Sequence, residues 1–115
     1  VGQGSIAIEA HSSLDLSLRA QIISNLNHEQ TAREIIAERA FLEKFEGGCS
    51  IPVFAHATSD QKGMIIRGGI ISLDGKQKIL RERTNDEPID LGRGLASEVL
   101  EAGGQKILKE IKDQL

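Results

Sequence analysis

The residues best suited to chemistry are few, and Cys49 leads them, as the single cysteine of the chain. It follows Glu46-Gly47-Gly48 and precedes Ser50-Ile51-Pro52-Val53, so it falls where a helical pattern gives way to an alternating one. Gly47 and Gly48 let the backbone curl and leave room beside the sulfur for a bulky group. The local charge does not activate the thiol. A helix C-terminus is the negative end of the dipole, and Glu46 adds to it, so both oppose the thiolate. Two readings stand at this level: a thiol available for covalent chemistry, or a small apolar residue plugging a junction. With no second cysteine, an intrachain disulfide is ruled out and a reducing compartment fits.

Other candidate groups lack the spacing that their chemistry requires. His11, His28 and His56 are far apart along the chain and none has a close second ligand, so no metal site is expected. Gly2-Gln3-Gly4 precedes an apolar stretch instead of following one, and no Lys-Ser/Thr follows it, so it fails as a phosphate loop. Glu34, Glu38 and Arg39 read as the solvated face of a charged helix. Arg67, Arg81 and Arg83 could gather into a patch for carboxylates, but interleaving with Glu82 and Asp86 favours outward, paired side chains. Ser and Asp are plentiful without the spacing of a nucleophile elbow or triad.

Those residues must be positioned by a sequence of short elements. Ile6-Ala7-Ile8 reads as a short strand before the polar His11-Ser12-Ser13. A helix is expected over 15–25, with Leu14, Leu18, Ile22 and Leu26 on one face. A second helix follows, with Asn27 as N-cap and Gln30 completing a capping box, or with Thr31 and Glu34 in those roles. Its stripe is Ile35, Ile36, Ala40, Phe41, Leu42 and Phe45, and Gly47-Gly48 should end it. The period then changes to two. Strands are expected over 51–57, 64–72 and 78–84, with Pro52 at a strand start or edge and Gly68-Gly69 marking a bend, bulge or close approach. Asp74-Gly75 signals a two-residue hairpin. A last helix runs over 90–102, is interrupted at Gly103-Gly104, and continues its stripe through Ile107, Leu108 and Ile111.

Composition limits the functional classes. The chain has 115 residues, and 14 Lys+Arg against 17 Asp+Glu leave a formal charge of −3. An acidic balance gives no basic footprint for nucleic acid, and three Phe with no Tyr or Trp supply no stacking platform. No apolar run approaches the about 20 residues needed to span a bilayer. With 39% apolar and 27% charged residues, the chain has the balance of one globular domain. The first residue is Val, so a processed N-terminus or a piece of a longer polypeptide is expected. The fold class expected is α+β: a three-stranded antiparallel sheet with about three helices on one face, preceded by a strand that belongs elsewhere.

One stretch is more specific. Ala37-Glu38-Arg39-Ala40-Phe41-Leu42 followed by Glu46-Gly47-Gly48-Cys49-Ser50-Ile51-Pro52-Val53 resembles the hydroxymethylbilane synthase (porphobilinogen deaminase) family. Gly2-Gln3-Gly4-Ser5-Ile6-Ala7-Ile8-Glu9, Leu26-Asn27-His28-Glu29-Gln30-Thr31 and Leu91-Gly92-Arg93-Gly94-Leu95-Ala96-Ser97-Glu98-Val99-Leu100 extend the likeness over nearly the whole chain. The resemblance implies a transferase of porphyrin, heme and tetrapyrrole biosynthesis that condenses four porphobilinogen molecules, with loss of ammonia, into hydroxymethylbilane. It implies a covalent dipyrromethane cofactor on Cys49 through a thioether, Gly47 and Gly48 as a hinge beside it, and Gln3 near cofactor and substrate. Residues 1–13 are then strand and linker from a preceding domain and 14–115 the cofactor-bearing C-terminal domain. Partners are the missing N-terminal domains and porphobilinogen, with no nucleic acid and no membrane. No catalytic acid or base is expected in this piece. It should be inactive alone, without its cofactor, cytoplasmic by family, and open to self-association through an unpaired edge or Cys49. The contrasting expectation is a non-catalytic α+β binding or regulatory module with a structural or redox-sensing Cys49.

Overall fold

The computed structural model describes residues 5–45 and 51–114. In chain order the elements are α1 (Leu16–Leu26), α2 (Glu29–Glu43), β1 (Val53–Asp60), β2 (Gly63–Ile71), β3 (Lys78–Asn85), α3 (Pro88–Val99) and α4 (Gln105–Gln114). The strands form one antiparallel sheet in the order β1-β2-β3. Its register pairs Val53 with Ile70 and Ala57 with Ile66, then Ile66 with Arg83 and Ile70 with Ile79. Paired residues share a face, so Ala55, Ala57, Ile66 and Ile70 point together into the core. There they meet Phe41 of α2, Leu91, Leu95 and Val99 of α3, and Ile107 and Ile111 of α4. The other face, carrying His56, Ile65, Arg67, Leu80 and Glu82, is exposed.

Two glycines permit the closest approaches. A Cβ at Gly69 would lie 1.8 Å from the Ile79 carbonyl oxygen, and one at Gly92 would lie 2.1 Å from that of Ala37. Of the three readings of Gly68-Gly69, the structure selects close approach. Gly92 is where α3 crosses α2, and its missing side chain sets how near the two helices come. Further on, Gly103 at φ 120° breaks α3 from α4 across a kink over Leu100–Gly104. The two helices can thereby both lay their apolar stripes on the core.

Several local expectations change. Asn27 is not the N-cap of α2: His28 takes that place and its side chain accepts from the Thr31 N–H. Helix α3 starts at Pro88, two residues ahead of the expected position, with Glu87 accepting from the Ile89 N–H. Asp74-Gly75 does not make a two-residue hairpin. The strands stop at Ile71 and Lys78, and the turn between them is closed by Ser72 N–H to Gln77 carbonyl at 2.8 Å. Asp74 accepts from Ser72 Oγ at 2.6 Å and from the Lys76 N–H at 2.9 Å. These bonds, the Ser72 hydroxyl first, hold the Asp74 carboxyl below the usual carboxylate range. A side chain able to bond its own loop thus favours the longer turn.

The first helix departs most. It forms where the pattern places it, with Asp15 as N-cap accepting from the Ser17 N–H, yet it buries no residue. The core is covered by α2, α3 and α4 instead. Ile6 is 96% exposed and residues 5–10 form no strand, because a strand exists only in a ladder and no described segment pairs with this one.

Candidate functional site

Cys49, Gly47, Gly48 and Gln3 lie outside the described residues, as does the expected helix stop at Gly47-Gly48. What the structure describes is the frame around the Cys49 segment. Helix α2 leads into it and β1 leads out. Phe45 on one side is fully buried and Ile51 on the other is 6% exposed, so both ends of the segment are anchored in the core. Phe45 packs on Phe41 with ring centroids 4.9 Å apart at a tilt of 47°. Phe41 is itself accommodated by Gly68, where a Cβ would come within 3.2 Å of the Phe41 ring.

Polar groups tie α2 to β1 along the same junction. Glu38 accepts from the Ala57 N–H at 3.2 Å, and Glu34 accepts from both the N–H and the hydroxyl of Ser59 at 2.9 Å. Gln30 donates to the Ser59 carbonyl at 2.8 Å. Four residues of helix rise about 6 Å and two residues of strand about 6.6 Å, so the step from Glu34 to Glu38 matches that from Ser59 to Ala57. β1 is an edge strand, and these carboxylates occupy N–H groups that would otherwise invite another chain.

The expectation that Glu34 and Glu38 face solvent is therefore corrected: Glu38 is 6% exposed and Glu34 half-buried. The signal that could have found them was their spacing. Glu34, Glu38, Phe41 and Phe45 follow each other by four, three and four, the stripe of one helix face. Replacing Glu38 with Leu should cost about 1–3 kcal/mol by stranding the Ala57 N–H, whereas Glu38→Gln keeps an oxygen in place and should cost clearly less. Urea denaturation of the two variants checks this; equal losses would sink the hydrogen-bond account.

A cleft of about 410 Å³ runs beside β1, lined by Thr31, Glu34, Ile35, Glu38 and residues 53–57. Its charged lining is acidic, which suits neither carboxylate-bearing ligands nor phosphates. The arginines do not supply the missing cations. Arg67 pairs with Glu82 directly across the strands, and Arg83 reaches Glu98 at 3.6 Å. Arg81 donates to the neighbouring Leu80 carbonyl. The reading as an outward, paired residue holds for Arg67, whereas Arg83 lies on the helix-covered face, against Gly94 and Glu98 of α3. The histidines stay apart: His11 bonds Ser13, His28 caps α2, and His56 is exposed on the open face. Among the described residues no three His, Cys, Asp or Glu form a group that could hold a metal ion.

Fold and frame together define a small α+β domain: an open sheet backed by three helices, with a cysteine segment strung between a buried helix end and an edge strand. The chain matches the family model described as porphobilinogen deaminase, C-terminal domain, over residues 32–101, and it belongs to that family. It is 42% identical over 116 residues to a porphobilinogen deaminase of Desulfosudis oleivorans, covering 99% of this chain and 37% of that protein. It is 45% identical over 116 residues to that of Cytophaga hutchinsonii, with the same coverage, and 41% identical over 114 residues to that of Carboxydothermus hydrogenoformans. The chain thus spans little more than a third of the length of these curated relatives.

Proposed function

We propose that this chain is the C-terminal part of a transferase that condenses four porphobilinogen molecules, releasing ammonia each time, into the linear tetrapyrrole hydroxymethylbilane. Its role is to anchor the dipyrromethane primer through a thioether at Cys49, with Gly47 and Gly48 as the hinge and Gln3 near cofactor and substrate. The observation that carries this reading is the similarity of 41–45% over at least 97% of the chain to porphobilinogen deaminases. A cytoplasmic location fits the free thiol. No helix among the described residues is long and apolar enough to cross a membrane.

A thioether asks for one sulfur and no ligand set. The dipyrromethane, when attached, supplies the pyrrole carbon from which the product chain is extended. Cys49 would hold the primer through a bond from its Sγ to a pyrrole methylene carbon, the thiol proton leaving with that carbon's amine as ammonia, and the second pyrrole would join the first with loss of a second ammonia. The thiol reacts once, so it needs no depressed pKa, which agrees with a position beyond a helix C-terminus. Phe45 and Ile51 hold the two ends of the segment, and Glu34 and Glu38 hold α2 against β1. The charged residues lining the cleft beside β1 are Glu34 and Glu38, so this cleft offers no partner for pyrrole acetate and propionate groups. No acid or base for the condensation is assigned to this chain.

The test is the intact mass, under denaturing conditions, of the full-length polypeptide and its Cys49→Ser variant. A covalent increment of two pyrrole units on the Cys49 peptide, absent from the variant, is the expected result. An unmodified mass in a folded protein supplied with porphobilinogen would refute the anchor and leave Cys49 as a packing or redox residue of a binding module.

A further inference from the structure

The chain enters the sheet from the Cys49 side through a turn centred on Pro52. The Val53 N–H donates to the Ile51 carbonyl at 2.8 Å, which closes three residues around Pro52. The Pro52 carbonyl accepts from the Ile71 N–H at 3.1 Å, one residue beyond the Val53–Ile70 pair. The common form of such a turn needs a central φ of about −75°, and the proline ring holds φ at about −65°. Proline also keeps the residue before it out of the helical region, so Ile51, itself buried, is confined to extended backbone.

Three consecutive residues are thus restrained by different means: Ile51 by burial and by the ring that follows it, Pro52 by its own ring, and Val53 by the ladder. Starting a strand does not require this. β2 and β3 begin at Gly63 and Lys78 without a proline, and a residue able to donate its own N–H would serve the ladder better at position 52. The restraint stands three residues after Cys49, on the opposite side of it from Gly47 and Gly48. The sheet side of the segment that carries Cys49 therefore starts from a fixed point and a fixed direction.

We propose that Pro52 is a positioning residue for the condensation: it fixes the direction in which the chain leaves the sheet toward Cys49, and so limits the orientations open to the primer held there. This rests on the anchor reading of Cys49 and adds the residue that aims the anchored group. A reacting atom misplaced by about 1 Å can cost on the order of a hundredfold in rate. The first addition to the primer depends most on the anchor's direction. Every pyrrole added later puts further rotatable methylene bonds between the sulfur and the reacting end, and these absorb an error at the base.

The test mixes the full-length holoenzyme and its Pro52→Ala variant with porphobilinogen and follows the masses of the successive enzyme-bound intermediates. The first addition should be on the order of tenfold slower in the variant and the last addition slowed clearly less, with KM for porphobilinogen unchanged. Pro88→Ala is the control. It removes the other proline of the chain, and with it a similar restraint on the unfolded state, but at the first position of α3, so the intermediates should form at the unsubstituted rates. An unslowed first addition, an equal slowing of every addition, or the same loss in Pro88→Ala would overturn the proposal, the last two because they mark a general weakening of the fold. If Pro52→Ala does not fold, Pro52→Val, which favours extended backbone without a ring to fix φ, is read in the same way. The Cys49 adduct is measured on the same samples. Its absence from the unsubstituted protein refutes the anchor, whereas adduct with an unslowed first addition refutes only the role of Pro52.

Discussion

Gly92→Ala, the smallest side chain that could be added, should destabilise the domain by about 3 kcal/mol or more, at or beyond the upper end of the usual overpacking range. The new Cβ would stand 2.1 Å from the Ala37 carbonyl oxygen, 2.8 Å from the Ala40 Cβ and 2.9 Å from the Phe41 backbone nitrogen. Two of those atoms are backbone and cannot rotate aside, so α2 and α3 must separate. Separation opens the core around Ala37, Leu91 and Leu95, which are fully buried. A melting temperature lowered by on the order of 15 °C is the expected reading. Gly75→Ala is the control. It meets nothing within 4 Å and carries only the strain of φ +74°, about 1 kcal/mol. If the two variants melt together, the helix crossing is not as close as described.

Phe41→Ala should cost about 3–5 kcal/mol, the range for emptying an aromatic site in a close-packed core. Phe41 is fully buried, packs on Phe45, and lies over Gly68, so its removal empties the space between α2 and the sheet. Glycine at 68 offers no side chain to collapse into the gap, which places the loss toward the upper end. Chemical denaturation should show a lowered midpoint with an unchanged slope. A loss near 1 kcal/mol would mean that the site collapses, against what Gly68 allows. The same residue fixes Phe45, the inner anchor of the Cys49 segment, so its loss also loosens the frame from which the proposed thioether is held.

Period and punctuation were enough to place most elements. The change from a helical to a two-residue pattern after Cys49 places the sheet, and Gly103 with Gly104 places the kink between α3 and α4, because both depend on neighbours within one or two turns. The family likeness was legible for the same reason: it rests on residue identities in order, above all around Glu46-Gly47-Gly48-Cys49.

What the sequence did not disclose depends on atoms brought together from afar. Glu34 and Glu38 read as solvated because a carboxylate on a helix has water as its default partner; only the packing of β1 supplies the Ser59 and Ala57 N–H groups, 25 and 19 residues away. Gly92 carries no local sign of a helix crossing, and only the packing of α3 on α2 shows that a Cβ has no place there. The stripe of α1 is as apolar as many buried ones, and nothing local distinguishes a face turned to this core from one left exposed. By itself, then, the sequence determined the α+β class, the order of the elements from α1 onward and the family, which are properties of local pattern and identity. Only the tertiary structure decided which helices share the core, which charges are buried and which apolar face is left open, because each of these is a matter of distance between segments that the chain alone does not bring together.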